Sequence, residues 1–189
     1  MSTGLTRDVI AEKAVETGFR DLSMSSVARA LGVTHVALYR HVRDRADLGY
    51  AAADVVARRM VWPEATGDWA AHLRAVCHLV RDTFHEHPGL YDEVVRLGSV
   101  PNFDRHILGT ANHLLEQGFS PHQARLAVEM MFHVVLDSVR AAESEPVATQ
   151  PEVPDAILSA SVTFDQKLDV LLTGLAAVVG TDSTDGGVA

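Results

Sequence analysis

Apolar residues recur along this chain at the spacing of one helical face, and no run of alternating β-branched residues interrupts them. Residues 5–18 place Val9, Ile10, Ala14 and Val15 on one side of a first helix that Gly18 ends, and Phe19 and Leu22 follow as core plugs. A second helix, Met24 to Leu31, buries Val27, Ala28 and Leu31, with Ser23 as N-cap and Gly32 just past its end. Thr34 caps a short third helix that buries Val33 and Leu38 and turns His35, Ala37, Arg40 and His41 outward. Asp44 and Asp47 open a fourth, which runs through Leu48, Ala52, Val55, Val56 and Arg59 and stops before Pro63.

Beyond the turn-rich joint at 63–68, Asp68 caps a helix from Trp69 to about His87, broken by Pro88-Gly89. A short helix from Leu90 to Leu97 and one from Asn102 to Gln117 follow, the latter closed by Gly118. Ser120 and Pro121 start a long helix to about Ala142, and a last one covers Phe164 to Val179. Residues 143–154, with three prolines, read as a loop, and the tail after Gly180 as disordered. The two C-terminal helices are apolar nearly all round, so both their sides need cover. A partner subunit is the favoured second cover, which marks Val128, Met131, Val135, Leu168, Leu171, Leu172 and Leu175 as interface candidates.

Charge refines this picture. The chain carries −9 overall, but residues 1–60 hold nine basic against seven acidic side chains, and the rest hold seven against eighteen. One end therefore suits a polyanion and the body does not. Helices two and three, joined by a Gly turn with exposed donors on the second, form a helix-turn-helix whose second helix enters the DNA major groove. His35 is placed to hydrogen-bond a base edge, and Ala37 and Val36 to meet a thymine methyl. Arg40 reaches either a guanine or a phosphate. Arg45, at the N-terminus of the fourth helix, is read as a phosphate clamp. The single cysteine, Cys77, excludes an internal disulfide and fits a reducing cytoplasm, and no apolar run approaches a membrane span.

The stretch 18–48 resembles the N-terminal domain of the tetracycline-repressor (TetR) family, most specifically in the Gly-Val-x-x-x-x-Leu-Tyr-x-His-Val pattern at 32–42. Leu-Glu-Gln-Gly-Phe-Ser at 115–120 and Lys-Leu-Asp-Val-Leu-Leu-Thr-Gly-Leu at 167–175 are similar to the tetracycline repressors proper, less specifically. The resemblance implies an all-α homodimer: a helix-turn-helix head (1–48), a ligand-binding and dimerisation body (49–180, with 49–62 as linking helix) and a tail (181–189). It implies that the body binds a small-molecule inducer and that the linking helix then swings the heads apart. It implies that double-stranded operator DNA is the partner, and that the apolar C-terminal pair forms a four-helix bundle with a second copy. Tyr39 and His41 match family positions that meet phosphate or sugar, and Ser25 one that contacts DNA. Without the family pattern, Tyr39 would read as packing for the three-helix core.

For the inducer, the inward faces of the middle helices offer Trp62, Val76, Val80, Phe84, Arg96, Phe103 and His133. Arg96 stands near where tetracycline repressors carry a histidine that holds drug-bound magnesium. A guanidinium is no metal ligand, so tetracycline–magnesium recognition is not expected. Nor is a metal site or other cofactor: His78 and His85 share a helical face but lie about 10 Å apart along it, and His85 and His87 sit at a helix end. Cys77, beside inward-facing Val76, reads as a buried small hydrophobe. The leading reading is a repressor released by an inducer. A histidine-dependent hydrolase lacks any Gly-x-Ser-x-Gly, His-Glu-x-x-His or phosphate-loop motif to support it. A non-inducible helical scaffold or activator is the third reading.

Overall fold

The structure, a computed structural model, describes residues 4–143 and 162–179. Every regular element among these residues is helical. In chain order they are α1 (Arg7–Thr17), α2 (Met24–Leu31), α3 (His35–Leu38), α4 (Arg45–Arg59), α5 (Trp69–Glu86), α6 (Leu90–Leu97), α7 (Pro101–Glu116), α8 (Pro121–Glu143) and α9 (Phe164–Val178). The expected loop at 143–154, past Glu143, and the tail at 181–189 lie outside the described residues.

Local chemistry sets these boundaries. The side chains of Thr6, Ser23, Thr34, Asp44 and Thr163 each accept a backbone N–H from the first turn of the helix they precede, satisfying donors that have no partner within the helix. Asp68 does the same for α5, its Oδ2 accepting from Ala71 N at 2.9 Å. Gly32 ends α2 at φ +67°, a left-handed conformation that a side chain would disfavour.

The chain forms two compact units: residues 1–62 with 82–107, and 63–81 with 108–189. The first holds α1 to α4, so residues 49–62, read from the sequence as a linking helix, fall in the same compact unit as residues 1–48. Helix α4 buries Leu48, Ala51, Ala52, Ala53, Val55, Val56 and Ala57, most of its circumference. Ala51 and Val55 pack on Ala11 and Val15 of α1. The segment 82–107 belongs to the same unit: a Cβ on Gly89 would come within 2.9 Å of Arg20 N, and His87 meets the edge of Phe19. Helix α4 is thus built into this unit by its small residues.

In the second unit α8 and α9 run antiparallel. Gln123 Nε2, early in α8, donates to the Val178 carbonyl at the end of α9 at 2.7 Å, and Lys167 pairs with Asp137 across their other ends. Ala124, Ala127, Met131, Val135 and Val139 on α8 and Leu168, Leu172 and Leu175 on α9 are the buried stripes, spaced every three or four residues. Five of the seven expected interface residues therefore lie inside one subunit. Met131, Val135, Leu168, Leu172 and Leu175 have at most 6% of their surface left to bury, so they cannot form the partner-facing surface. Val128 and Leu171 remain half-buried. Leu126, Met130, Val170 and Val178 are the large apolar residues left exposed on these helices. An apolar pattern on both faces does not say which face is inner.

Candidate functional site

The helix-turn-helix forms as expected from its caps, and it presents a coherent polar face. Ser25, Thr34, His35, Val36, Tyr39 and Arg40 are exposed, Ala37 and His41 are half-buried, and Leu38 is fully buried beneath them. Tyr39 thus projects outward and does not pack the three-helix core. Its ring meets the edge of His35 with centroids 5.0 Å apart, so each holds the other on one side of α3. Thr34 Oγ1 accepts from Ala37 N at 3.3 Å and fixes the start of the short helix.

The turn after α3 is tied down by two residues that periodicity alone did not single out. Arg7 of α1 forks onto Asp47, Nη2 to Oδ1 at 2.7 Å and Nη1 to Oδ2 at 2.9 Å, and Nη1 also reaches the His41 carbonyl at 3.2 Å. Arg43 N donates to the same carboxylate at 2.8 Å. The Arg7 hydrogen bond, helped by Arg43, holds the Asp47 carboxyl well below the usual carboxylate range, against the opposing effect of burial. Asp47 was legible only as a first-turn acid; its partner is 40 residues away.

Arg45 is placed differently from its expected role. Its guanidinium meets Glu93 of α6 in a two-pronged pair, Nη1–Oε1 at 2.7 Å and Nη2–Oε2 at 2.6 Å, and Arg96 Nη1 adds a third bond to Oε2 at 2.6 Å. The Glu93 side chain is only 1% exposed. The absence of a side chain at Gly49 makes this possible, since a Cβ there would lie 1.9 Å from Glu93 Oε1. A phosphate clamp needs a guanidinium turned to solvent, and this one is spent on joining α4 to α6. Arg96, half of the same cluster, is likewise turned to Glu93.

The expected ligand residues divide between the units. In the first, Phe103 stands edge-on to Trp62, Phe84 lies close to Phe103 and Tyr91, and His106 stacks on the indole at 4.7 Å. Trp62 Nε1 is buried without a hydrogen-bond partner. In the second, Val76 and Val80 are buried, whereas His133 is exposed on α8 and does not face inward. An open groove of about 670 Å³ in that unit is lined by Trp69, Arg74, Ala75, Asp169, Leu172 and Thr173, with Arg74 paired to Asp169. Of the residues expected in the pocket, none lines it.

The polar interior of the second unit was missed by periodicity, because it consists of single residues within apolar stripes. His72 is 6% exposed, with Nδ1 at 3.2 Å from the Glu64 carbonyl and Nε2 at 3.1 Å from Thr110 Oγ1. A carbonyl only accepts, so Nδ1 carries the proton and the Thr110 hydroxyl donates to Nε2. Burial, and then the neighbouring His113, keep His72 below the ordinary imidazole range. His113 is 3% exposed, its ring edge-on to His72 at 5.1 Å, and neither of its nitrogens has a hydrogen-bond partner. Leaving such a group bare costs about 1–3 kcal/mol per unmade bond. Among the other histidines, His78 Nε2 lies 3.0 Å from Asp165 Oδ1, and no group of three side chains suited to a metal stands together among the described residues. Burial pushes the Cys77 thiol up to about 12, which leaves it unreactive.

Comparison with known proteins bears on the fold. No protein-family model matches the chain, and no curated protein sequence does. Solved structures do. Apo ActR of Streptomyces coelicolor has 22% identity over 97% of this chain and 100% of its own, with a TM-score of 0.79. BioQ of Mycobacterium smegmatis has 23% identity over 92% and 98%, with a TM-score of 0.72. TetR of Acinetobacter baumannii AYE has 21% over 92% and 98%, with a TM-score of 0.69. No helix among the described residues is long and apolar enough to cross a membrane. With a capped helix-turn-helix at one end, an all-helical body at the other and these likenesses along nearly its whole length, the chain has the fold of TetR-family proteins.

Proposed function

We propose that this chain is a ligand-responsive transcriptional regulator, a binding protein and not an enzyme, acting in the cytoplasm on a palindromic operator as a homodimer. The exposed face of α2 and α3 carries the reading: Ser25, Thr34, His35, Val36, Tyr39 and Arg40 face solvent on a rigid, doubly capped helix-turn-helix. His35 and Arg40 are the base readers, with Val36 and Ala37 against thymine methyls, while Ser25, Thr34, Tyr39 and His41 position the phosphates. BioQ has been solved with its natural double-stranded DNA operator and ActR with actinorhodin, which supports a DNA output and a small-molecule input. Release of the operator by the ligand makes the regulator a repressor.

The dimer is assigned to the outer faces of α8 and α9. Leu126, Met130 and Val170 are 43%, 38% and 75% exposed, an apolar surface that a second copy would cover. Selecting bound duplexes from a random pool at moderate salt tests the whole reading. The expected product is a palindrome whose half-sites are about 10 bp apart. His35→Ala is expected to lower the ratio of specific to random binding by roughly tenfold or more. A pool with no enriched duplex would remove the regulator reading, and equal losses on both duplexes would remove His35 as a base reader. Met130→Glu combined with Val170→Glu is expected to give a monomer in sedimentation and to abolish operator binding.

A further inference from the structure

The groups buried in the second unit are not all accounted for by its own fold. His72 is complete: it donates to Glu64, accepts from Thr110 and needs nothing more. His113 presses its ring against His72, is 3% exposed and has two unmet nitrogens. A neutral imidazole offers a donor at one edge and an acceptor at the other. Folding has placed such a group where water is excluded and provided no protein atom for either edge. Buried polar groups in native proteins are hydrogen-bonded almost without exception, so a bare one marks a missing partner.

The surroundings define that partner. His72, Val76 and Val80 follow one another at four-residue spacing along the buried stripe of α5, and Thr110 and Leu114 do so along α7. Beside His72, Thr110 and His113, most of the buried residues on these two helices are apolar. No third histidine, cysteine, aspartate or glutamate stands with the two imidazoles among the described residues, so the missing partner is not a metal ion. We propose that His113, backed by His72 and Thr110, is a ligand subsite that takes the hydroxyl or carboxylic acid group of a small, mainly apolar organic molecule. The O–H of the ligand donates to the bare acceptor nitrogen of His113; the N–H points away from that direction and takes a second acceptor, such as another oxygen of the ligand. The proposal deepens the regulator reading above, on which it rests for the consequence of binding; the binding itself requires no DNA.

Phenol is a minimal probe of this chemistry and toluene its control without the hydroxyl. In the full-length protein with ¹⁵N-labelled histidine, millimolar phenol is expected to shift the His113 ring nitrogens and raise Tm by about 2–3 °C. Toluene at the same concentration leaves both unchanged. His113→Leu is expected to fold, to raise the Tm of the free protein because it removes an unmet polar group, and to abolish the response to phenol. His113→Gln, which keeps a donor and an acceptor, retains a response. Should the ring nitrogens prove to be hydrogen-bonded to a buried water alone, with no change on adding phenol, the subsite is overturned. It is also overturned if His113→Leu responds to phenol like the wild type. Neither result touches duplex selection, so loss of the subsite and loss of the regulator reading are separately visible.

Discussion

Two buried polar groups, one in each unit, are handled in opposite ways. Glu93 in the first unit is 1% exposed and receives three hydrogen bonds, two from Arg45 and one from Arg96. His113 in the second is 3% exposed and receives none. The first arrangement is closed: both carboxylate oxygens accept from arginines of the chain itself, and α4 is joined to α6 by them. The second is open, and only something outside the chain can complete it. A closed polar cluster is the signature of a part that must hold its shape, here the joint between α4 and α6. An open one, like Trp62 Nε1 in the first unit, leaves desolvated polar atoms without a partner in the chain.

The contrast is tested most severely at Arg45. Arg45→Ala leaves the nearly inaccessible Glu93 carboxylate with Arg96 alone, and is expected to destabilise the protein by about 3–4 kcal/mol. Glu93→Gln leaves instead two arginines that already reach solvent, 34% and 59% exposed, and should cost less, about 2 kcal/mol. Denaturant unfolding of both variants decides the order; equal or reversed effects would show that Glu93 is not the member trapped by burial. If Arg45 were a phosphate clamp, Arg45→Ala would instead fold normally and bind every duplex more weakly.

Asp47 sharpens the closed side of the comparison in a pH-dependent way. Arg7 depresses its pKa in the fold below the unfolded value near 4. The unfolded chain therefore binds the proton first as pH falls. The stabilisation is fully present above about pH 4 and is lost as pH drops below it, through the lower folded value. Asp47→Asn is expected to cost about 2 kcal/mol at neutral pH, discounted because Arg7 is 41% exposed, and to flatten this acid limb in equilibrium unfolding.

Gly49→Ala tests whether space, as well as charge, closes the α4–α6 joint. Helix propensity alone would make alanine better by about 1 kcal/mol. The new Cβ would occupy the place of Glu93 Oε1, so the variant is expected to be less stable than wild type by about 1 kcal/mol or more. A rise in Tm would show that the carboxylate moves aside without loss.

The smallest effect lies on the open side. His72 is held below the ordinary imidazole value by burial first and His113 second, so the unfolded chain protonates before the fold does. Stability is then lost as pH falls below about 6.5. His87 and His106, both lowered by burial, add to the same limb in the first unit. His72→Gln is expected to reduce the slope of Tm between pH 6.5 and 5 by no more than one proton's worth, and an unchanged slope would remove His72 from the account.

Much of the local chemistry was legible in the chain, though the Thr6 and Thr163 caps were not read from it. Caps such as Ser23, Thr34 and Asp44 act within three residues of themselves, and Gly32 ends α2 through its own backbone, so reading along the chain located helix ends and the solvent-facing side of α3. Which face of an apolar helix is inner was not legible, because α8 and α9 carry hydrophobic residues on both. Only their antiparallel docking showed that Met131, Val135 and Leu168 belong inside and Leu126, Met130 and Val170 outside.

Residue type and short spacing were enough to specify helices along the described residues, a helix-turn-helix at 22–45 and a basic end on an acidic body. Tertiary structure decided the surroundings of Arg45 and His113. Arg45 and Glu93 are 48 residues apart, and the burial of His113 beside His72 exists only after everything around it has been packed. Pairing and desolvation depend on neighbours brought together by folding, so their consequences cannot be read along one strand of sequence.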